Sequence, residues 1–453
     1  MKTNLETLYQ IFQQHPVVTT DSRNCPQGAI FFALKGETFN GNTFAKSALE
    51  KACSYAVVDE VEFVEDERFL LVDDCLTALQ QLAKHHRETL KTPVIGITGS
   101  NGKTTTKELI AAVLSRKYNV LFTQGNLNNH IGVPLTLLEL RPEHEIAVVE
   151  MGANHRGEIA ALCEIACPDF GIITNVGKAH LEGFGSFEGV VQTKTELYRH
   201  IKTKRQKDKR TTRQNVSNSL PCGEGWGGVV FINAANKILM EHAANLDKIC
   251  YGLDNSSFFV SGKIAANAPF LSLRWKKQDG QEYTINTQLV GEYNAENVLA
   301  AIAIGIYFDV PEAQINEAIH KYVPTNNRSQ LTKTAHNELI IDAYNANPTS
   351  MSAALQNFAH IAAPLKAVIL GDMRELGIGA DAEHAAIIQQ LERYCFDKVF
   401  LVGENFFRQK SKFQNFVSID KLVDFIKNDK LEGFQILIKG SRGIQLENVI
   451  AYL

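Results

Sequence analysis

The sequence predicts an α/β protein built from three domains. Its 453 residues correspond to about three domains of ordinary size. Short apolar runs typical of strands alternate with helical patterns along most of the chain, as they do in α/β folds. One of these runs ends in a glycine-rich loop that opens a helix, a pattern that favours phosphate binding. We therefore expect domains at residues 1–90, 91–311 and 312–453.

The first region resembles a small α/β unit in its pattern. The apolar runs AIFFALKG, YAVVDE and FLLVDD alternate with helical stretches, and a helix over residues 75–86 is expected to close the unit. The N-terminus MKTNLETLYQIFQQ has no apolar core of a signal peptide, and no run approaches 18 apolar residues. We therefore predict neither a signal peptide nor a membrane span, and we expect a cytoplasmic protein.

The second and third regions carry stronger strand signals. Residues 91–311 contain VIGIT, EIAVVEMG and FGIITNVG, which predict a P-loop-type doubly wound sheet, and then FFVSGKIA and LSLRW, which predict a β-rich accessory region. Residues 312–453 contain ELIIDAYNANP, KAVILGDM, KVFLVGEN and QILIKGSRG. Since these strands run directly into loops, their carboxyl ends are expected to face a ligand.

The loop TGSNGKT has the chemistry of a phosphate site. Gly99 and Gly102 allow the backbone to approach an anion, and the helix that follows directs N–H groups and a positive dipole end towards it. Lys103 adds a cation, and Thr104 offers a hydroxyl to Mg²⁺. The loop is shorter than the usual pattern, because Ile97 stands where a glycine is expected. A plain strand-to-helix turn is the alternative, but the run of residues favours binding of a nucleoside triphosphate.

Composition narrows the class of partner. The chain has 46 basic and 50 acidic residues, so its net charge of −4 does not indicate nucleic acid or an anionic membrane. A small-molecule partner is expected. The eight cysteines are scattered, and we interpret them as small buried hydrophobes in a reducing compartment.

Residues 202–228 interrupt the α/β pattern. The segment is strongly basic at first and then rich in Ser, Asn and Gly, without apolar periodicity. It could form a contact surface for nucleic acid or an acidic partner. A solvated, mobile insertion in a surface loop is the favoured interpretation, because such loops tolerate long insertions.

Three polar residues near predicted strands are candidates for a metal site. Glu150 ends an apolar strand, where an unpaired carboxylate would be costly, so it is expected to meet a cation. His180 follows a strand and a glycine turn, but a lone histidine is more often a structural hydrogen-bonding residue. Lys194 lies in a helical pattern, and its chemistry alone indicates a surface lysine.

A set of motifs resembles the Mur ligases in the order of that family and over nearly the whole chain. These are GITGSNGKTTTKE, GNLNNHIGVP, EMGANHRGEI, TNVGKAHLEGFGS, GEYNAENVLAA, NNRSQ, DAYNANPTSM, GDMRELG and IKGSRG, with DSRNCPQGAIFFALKGETFNGNTFA near the N-terminus. The resemblance implies an ATP-dependent ligase of peptidoglycan precursor synthesis that joins D-alanyl-D-alanine to UDP-N-acetylmuramoyl-tripeptide through an acyl phosphate. It also implies a UDP-substrate-binding domain at 1–90, an ATP-binding domain at 91–311 and a Rossmann-like ligase domain at 312–453.

The resemblance also implies roles for individual positions. The expected catalytic residues are Lys103, Lys194 and His180. The expected nucleotide contacts are Gly99, Ser100, Asn101, Gly102, Lys103, Thr104, Thr105, Asn294, Asn297, Arg328 and Asp342. The expected substrate contacts are Asp21, Ser22, Arg23, Lys35, Gly36, Asn126, Asn128, Asn129, Tyr344, Asn345 and Asn347. Two Mg²⁺ ions are expected, with Thr104, Glu150, His180 and a carbamylated Lys194 as ligands, since carbamylation turns an ammonium into an oxygen donor.

Several alternatives stay open. Another Mur-type amide ligase or folylpolyglutamate synthase would share the core chemistry, and a P-loop protein that binds nucleic acid through the basic run is a distant third. Locally, NANP could be a turn with capping asparagines and DSR a helix cap. The sequence does not distinguish diaminopimelate from lysine in the tripeptide and does not indicate the general base. A monomer is expected.

Overall fold

The computed structural model describes residues 2–211, 228–267, 269–325 and 328–453. Its strands form three sheets, of four, nine and six strands, with helices packed against them. The predicted fold class, three α/β units with a doubly wound central sheet, is confirmed. No helix in the part of the chain that is described is long and apolar enough to cross a membrane.

The first sheet is parallel and runs in chain order. Its strands are β1 (Val18–Thr19), β2 (Ile30–Phe32), β3 (Tyr55–Val58) and β4 (Phe69–Leu71), and its helices are α1 (Leu5–Gln14), α2 (Ala45–Lys51) and α3 (Cys75–Leu90). Asp74 caps the start of α3, and its carboxylate accepts a hydrogen bond from the Thr77 N–H. The helix ends a turn later than predicted. In this last part of the helix, His86 Nε2 lies 3.0 Å from the carbonyl oxygen of Leu140, which belongs to the second region.

The second sheet carries the glycine-rich loop near its middle. Its strands are β5 (Val94–Thr98), β6 (Val120–Phe122), β7 (Ile146–Glu150), β8 (Phe170–Ile173), β9 (Val229–Asn233), β10 (Asp247–Leu253), β11 (Val260–Ala266), β12 (Ser272–Lys277) and β13 (Tyr283–Asn286). They are ordered β13-β12-β11-β10-β9-β8-β5-β7-β6, and only the pairs β11–β12 and β12–β13 are antiparallel. The strands of the predicted accessory region thus extend the same sheet.

Nine helices accompany the second sheet in the described residues. They are α4 (Lys103–Leu114), α5 (Gly132–Leu138), α6 (Glu158–Ala166), α7 (Leu181–Phe184), α8 (Phe187–Lys194), α9 (Glu196–Thr211), α10 (Lys237–His242), α11 (Asn294–Tyr307) and α12 (Glu312–Lys321). Helices α4 and α11 share an apolar core with the sheet. Ile315 and Ile319 of α12 belong to that core too, although α12 follows the predicted boundary at residue 311.

The third sheet has the order β14-β15-β19-β16-β17-β18. Its strands are β14 (Gln330–Lys333), β15 (Glu338–Asp342), β16 (Lys366–Gly371), β17 (Lys398–Val402), β18 (Gln414–Phe416) and β19 (Gln435–Lys439), flanked by α13 (Pro348–His360), α14 (Ala380–Leu391), α15 (Glu404–Arg408) and α16 (Ile419–Asn428). Short 3-10 helices lie at Gly41–Phe44, Val61–Phe63, Gly377–Gly379, Arg442–Ile444 and Leu446–Tyr452. Only β14 is antiparallel to its neighbour, so five strands direct their carboxyl ends to one edge.

The cysteines follow their prediction only in part. Cys53, Cys75 and Cys163 are buried and free, which fits their interpretation as small hydrophobes. Cys395 is free but exposed, so the prediction of burial is wrong for that residue.

The basic segment begins as a helix. Helix α9 runs to Thr211, so the predicted surface loop is wrong for residues 202–211, while residues 212–227 lie outside the described part. Lys204 Nζ lies 2.5 Å from Asp169 Oδ1, and Arg205 forms an ion pair with Asp247. Ile201 on the same helix is buried in the core. Two of the basic residues are therefore paired with carboxylates of the same chain.

Asp169 joins three parts of the fold. Its Oδ2 accepts hydrogen bonds from the Val94 N–H at 2.8 Å and from Arg87 Nη2 at 2.7 Å, while Oδ1 accepts from Lys204. The Arg87 side chain is only 5% exposed. A charge buried to this degree depends on its partner. Asp169 therefore ties α3 and α9 to the start of β5.

We expect Asp169→Ala to destabilise the protein strongly. The substitution leaves the buried Arg87 cation and the Val94 N–H without this partner, a loss of about 3–5 kcal/mol for a broken buried pair. Thermal unfolding followed by circular dichroism should show a midpoint lower by several degrees. Asp247→Ala is the control, because it removes an ion pair of the same helix whose carboxylate is 59% exposed, and it should cost about 0–1 kcal/mol. Equal midpoints for the two variants would contradict this role of Asp169.

Candidate active site

One cavity of about 860 Å³ is lined by residues that follow strands of the second and third sheets, together with Gln80 of α3. Most of the predicted site residues line it: Ser100, Asn101, Gly102, Lys103, Thr104, Thr105, Asn126, Asn128, Asn129, Glu150, His180, Asn294, Asn297, Arg328, Asp342, Tyr344, Asn345 and Asn347. The predicted residues that do not line it are Gly99, Lys194, Asp21, Ser22, Arg23, Lys35 and Gly36. The sequence motifs therefore converge, except for those of the first region.

The glycines of the loop 99–105 are required by its shape. Gly99 has φ +146°, and a Cβ there would lie 2.0 Å from Thr174 Oγ1. Gly102 has φ +77°, and a Cβ there would lie 2.6 Å from Asn297 Oδ1. Both glycines thus allow a close approach that no other residue permits. The loop connects β5 to α4 as the sequence predicts.

The loop that follows β8 holds the glycine-rich loop in place. Asn175 accepts from the Ser100 N–H with its carbonyl oxygen and from the Asn101 N–H with Oδ1, both at 3.0 Å. Thr174 Oγ1 donates to the carbonyl oxygen of Asn101 at 2.6 Å. Sequence reasoning gave no role to Thr174 or Asn175, although both lie in the TNVG motif. Their contacts span more than 70 residues, which no local pattern reveals.

Lys103 places a cation at the start of α4. Its Nζ donates to the carbonyl oxygen of Gly99 at 2.8 Å. Burial lowers the pKa of Lys103, Arg328 acts in the same direction, and Glu150 opposes both. An anion bound beside Lys103 would favour its charged form and so oppose the lowering of its pKa.

Glu150 ends β7 and is 1% exposed. Its Oε1 accepts from Asn128 Nδ2 at 2.8 Å, whereas its Oε2 has no hydrogen-bond partner and lies 3.8 Å from Lys107 Nζ. A buried carboxylate oxygen without a hydrogen-bond donor fits a cation such as Mg²⁺. Lys107 is fully buried on α4, and burial lowers its pKa. Sequence reasoning missed Lys107 because a single lysine in a helix carries no signal of burial.

Residues of the predicted substrate loop 126–130 make hydrogen bonds to other parts of the protein and within the loop. Asn128 orients Glu150, and Asn129 Oδ1 accepts from the N–H groups of Ile131 and Gly132 at the start of α5. The carbonyl oxygen of Asn126 accepts from the Asn128 N–H at 2.7 Å. These bonds fix the shape of the loop, so it reaches the cavity as a preformed wall.

His180 lies directly before α7 with φ +51°. Its Nδ1 contacts Oε2 of Glu375, which lies in the loop after β16, and this contact is an ion pair only when the imidazole is protonated. The two groups are not aligned for a hydrogen bond. Thr104, Glu150 and His180 line the same cavity, but the described residues contain no group of three His, Cys, Asp or Glu side chains suited to a metal. The predicted ligand set contains only two residues of those types, so this absence leaves it a prediction.

Lys194 is buried rather than on the surface. It ends α8, is 1% exposed, and its Nζ donates to the carbonyl oxygen of Ala153 at 3.4 Å. The Phe184 ring lies 5.3 Å from Nζ. Burial moves the pKa of Lys194 well below its ordinary range, and Lys103 adds to the shift. The interpretation as a surface lysine is therefore wrong.

Asp342 is held by a residue that sequence reasoning did not single out. Lys439 Nζ lies 2.6 Å from Asp342 Oδ2 and also donates to the carbonyl oxygen of Asn345 at 3.3 Å. Lys439 is 1% exposed and lines the cavity. The two residues are direct partners in the pairing of β15 with β19. The KGSRG motif contains Lys439, but its partner depends on a strand pairing across 97 residues.

Arg328 stacks on an aromatic ring. Its guanidinium carbon lies 3.8 Å from the centre of the Tyr344 ring, and Arg442 lies 5.7 Å from the same ring. Arg328 Nε is buried without a hydrogen-bond partner. Stacking uses the face of the guanidinium and leaves its N–H edge for an anion in the cavity.

The predicted adenine contacts form a hydrogen-bonded pair at the start of α11. Asn297 Nδ2 donates to Asn294 Oδ1 at 2.9 Å, and Asn297 Oδ1 accepts from Thr106 Oγ1 at 3.0 Å. Asn294 Nδ2 donates to the carbonyl oxygen of Val290. Both amides are thus fixed by protein partners where they line the cavity.

Asn347 joins the third sheet to the glycine-rich loop. Its Oδ1 accepts from the Ser350 N–H and caps α13, so capping by an asparagine of NANP is confirmed. Its Nδ2 also donates to Asn101 Oδ1 at 2.7 Å. Lys178 and Glu383 form a second contact between the same regions at 2.6 Å. The cavity is therefore closed by contacts between the second and third regions.

The predicted uridine contacts lie in the first region and bond locally. Arg23 donates to Asp21 through its backbone N–H and its guanidinium, both at 2.9 Å, and this holds the pKa of Asp21 at about 2. The carbonyl oxygen of Ser22 accepts from Lys51. DSR therefore forms a turn and does not cap a helix.

The second predicted uridine segment is also fixed by local contacts. Lys35 pairs with Asp59 and Glu60, each at 2.8 Å, and these hydrogen bonds raise its pKa. A Cβ on Gly36 would lie 2.3 Å from the Phe39 ring. The uridine contacts remain predictions.

Three family models match the chain. They are described as Mur ligase family, catalytic domain, over residues 16–97, as Mur ligase middle domain over residues 97–305, and as Mur ligase, glutamate ligase domain, over residues 327–442. Together they follow the order of the three sheets along the chain.

Curated relatives and solved structures are similar over nearly the full length. The UDP-N-acetylmuramoyl-tripeptide--D-alanyl-D-alanine ligase of Bacillus subtilis (strain 168) is 35% identical over 448 residues, which cover 96% of this chain and 92% of the relative. That of Escherichia coli (strain K12) is 32% identical, with 96% and 93% covered. A crystal structure of MurF from Acinetobacter baumannii has 30% identity and a TM-score of 0.83, with 98% and 97% covered. The structure of MurF ligase from Thermotoga maritima in complex with ADP, 24% identical, has a TM-score of 0.80 with 96% of each chain covered, and agrees in fold.

We expect Gly99→Ala to weaken ATP binding. The new Cβ would meet Thr174 Oγ1 at 2.0 Å and displace the loop. Isothermal titration calorimetry should give a Kd at least about tenfold higher, a loss of about 1.4 kcal/mol. Gly379→Ala is the control, because it has φ −79° and no atom lies within 4 Å of an added Cβ. A wild-type Kd in Gly99→Ala would contradict the close approach.

Proposed function

The chain belongs to the Mur ligase family, and from this we propose that it joins D-alanyl-D-alanine to the carboxylate of UDP-N-acetylmuramoyl-tripeptide, with cleavage of ATP. The two relatives that carry this activity in their names align with 96% of the chain. The product would be a peptidoglycan precursor. The ligase uses ATP as the source of its free energy.

The observation that carries this proposal is the shared cavity. The glycine-rich loop contributes Lys103, and the third region contributes Arg328 and Asp342 to the same space. A nucleotide and an acceptor carboxylate can meet there only when the two regions are docked. Docking would also exclude water from a reactive acyl phosphate.

The reaction has two steps. An oxygen of the tripeptide carboxylate attacks the γ-phosphorus of ATP, ADP leaves, and an acyl phosphate forms. The amine of D-alanyl-D-alanine then attacks the acyl carbon, inorganic phosphate leaves, and the amine loses a proton. Since the first step brings two anions together, cations must neutralise them. Lys103 and Arg328 supply positive charge at the cavity wall.

The donors present fit Mg²⁺, because Glu150 Oε2 is a buried oxygen without a hydrogen-bond partner. Of the two ions proposed, Thr104 would hold one, and Glu150 and His180 would hold the other together with a carbamylated Lys194. Mg²⁺, when bound, neutralises phosphate charge and polarises the phosphoryl group. Asn128 keeps the Glu150 carboxylate in place.

The environment of Lys194 supports carbamylation. Burial favours the neutral amine, and a neutral amine is the form that attacks carbon dioxide. The nitrogen forms a bond to the carbon of CO₂ and releases one proton, which leaves an anionic carbamate. Such an anion would be favoured by the positive charge of Lys103, which acts on Lys194 in the structure.

The remaining residues are proposed to bind the nucleotide and the substrates. Asn294 and Asn297 would contact adenine, and Asp342 would hold the ribose while Lys439 fixes its orientation. Residues 1–90 would bind the UDP group, residues 91–311 ATP, and residues 312–453 would complete the ligase site. The protein would act as a monomer.

Phosphate release tests the proposed function. We expect release only when ATP, UDP-N-acetylmuramoyl-tripeptide and D-alanyl-D-alanine are all present, assayed with tripeptides that contain either lysine or diaminopimelate. Turnover with a folate substrate and L-glutamate, but not with the UDP-linked tripeptide, would favour folylpolyglutamate synthase and contradict the proposal.

We expect Lys194→Ala to lose most of this activity and to regain a measurable fraction with added acetate or formate. The small carboxylate can replace the missing carbamate oxygens. Lys103→Ala is the matched control, because its kcat should fall by orders of magnitude and the same salts should not help a missing cation. Wild-type activity in Lys194→Ala would contradict the metal-ligand role and leave this lysine with a structural role only. Carbon-13 NMR under labelled bicarbonate would detect the carbamate directly.

A further inference from the structure

His180, which precedes α7 in the second region, meets a carboxylate from the third region. Its Nδ1 contacts Oε2 of Glu375. His180 lines the cavity, whereas Glu375 is not among its lining residues. Glu375 therefore contacts the histidine on the side that faces away from the cavity. An imidazole that presents Nδ1 to a carboxylate has Nε2 left for a ligand on its other side.

The backbone at Glu375 adopts a conformation that few residues of its type adopt. Its φ is +63°, a left-handed value that is strained in a residue other than glycine. The Glu182 N–H donates to the carbonyl oxygen of Glu375 at 3.3 Å. A Cβ on Gly377 would lie 3.4 Å from the Glu182 backbone. The turn thus packs against the first residues of α7, a helix that begins one residue after His180.

The loop that carries Glu375 is fixed to its own sheet. The Met373 N–H donates to His384 Nε2 at 3.0 Å, and the Arg374 N–H donates to Ser441 Oγ at 3.0 Å. Arg374 also donates to the carbonyl oxygen of Gly443. Because of these bonds, the position of Glu375 follows the position of the third region as a whole.

We propose that Glu375 is a positioning residue that holds the His180 imidazole with Nε2 towards the metal site, so that docking of the third region completes that site. This inference rests on the proposed function, in which His180 is a ligand. Carboxylates behind metal-bound histidines commonly fix ring orientation in this way. A metal at Nε2 leaves Nδ1 as the protonated nitrogen, and Nδ1 is the atom that faces Glu375.

A matched control lies nearby. Lys178 Nζ and Glu383 Oε1 also connect the second and third regions, 2.6 Å apart, and Glu383 makes its ion pair with Lys178 and not with His180. Glu383→Gln therefore removes one ion pair between the same regions without changing the histidine. A role of Glu375 in docking alone would be shared by Glu383, whereas a role through His180 would not.

Mn²⁺ binding tests the inference independently of turnover. The signal of free Mn²⁺ in electron paramagnetic resonance gives a Kd for the full chain with a non-hydrolysable ATP analogue present. We expect Glu375→Gln to raise this Kd by about tenfold or more. Glu375→Asp should have an intermediate effect, and Glu383→Gln should stay within about twofold of wild type. In a His180→Ala background, Glu375→Gln should have no further effect.

Three outcomes would overturn the inference: an unchanged Kd in Glu375→Gln, an equal rise in Glu383→Gln, or a full additional rise in the His180→Ala background. Circular dichroism identifies a variant that does not fold, and Glu375→Asp then provides the comparison. Phosphate release by the wild-type protein reports on the proposed function separately. If phosphate release is as expected but the Kd for Mn²⁺ does not change in Glu375→Gln, the proposed function stands and this inference is wrong.

Discussion

The site is built around lysines whose burial makes a positive charge costly. Burial lowers the pKa values of Lys103, Lys107 and Lys194. Nearby carboxylates oppose the shift in each case: Glu150 for Lys103 and Lys107, Glu108 for Lys107, and Glu158 and Glu196 for Lys194. Gathering cations in this way is unfavourable in the absence of anions. The phosphates of ATP, the tripeptide carboxylate and a carbamate are the anions that the proposed chemistry would bring. The stability of the site and its affinity for substrates thus have one electrostatic origin.

Local chemistry made part of this site predictable. The glycine-rich loop and Glu150 carry their signals within a few residues of sequence, and the structure places them at one cavity. Lys107 and Lys439 were not predicted, because only a strand pairing or a helix packing direction shows that they are buried. The burial of Lys194 was likewise invisible in a helical pattern, and only the resemblance indicated that it was special.

The fold shows the same division. Apolar runs predicted the parallel strands, since buried strands of this kind are continuous in sequence. The antiparallel strands β12 and β13 join the edge of the same sheet rather than forming a separate region, and their position depends on pairing with β11. The start of the basic segment looked like a loop from its composition. Its helix is supported instead by distant partners, Asp169 and Asp247.

Helix α3 belongs to two parts of the molecule. It packs on the first sheet, while His86 and Arg87 near its end contact the carbonyl oxygen of Leu140 and the carboxylate of Asp169. A displacement of the first region would therefore be transmitted through α3 to the first residue of β5, whose N–H donates to Asp169. The glycine-rich loop lies at the opposite end of that strand. A movement of the first region would thus be transmitted to the strand that carries the phosphate loop.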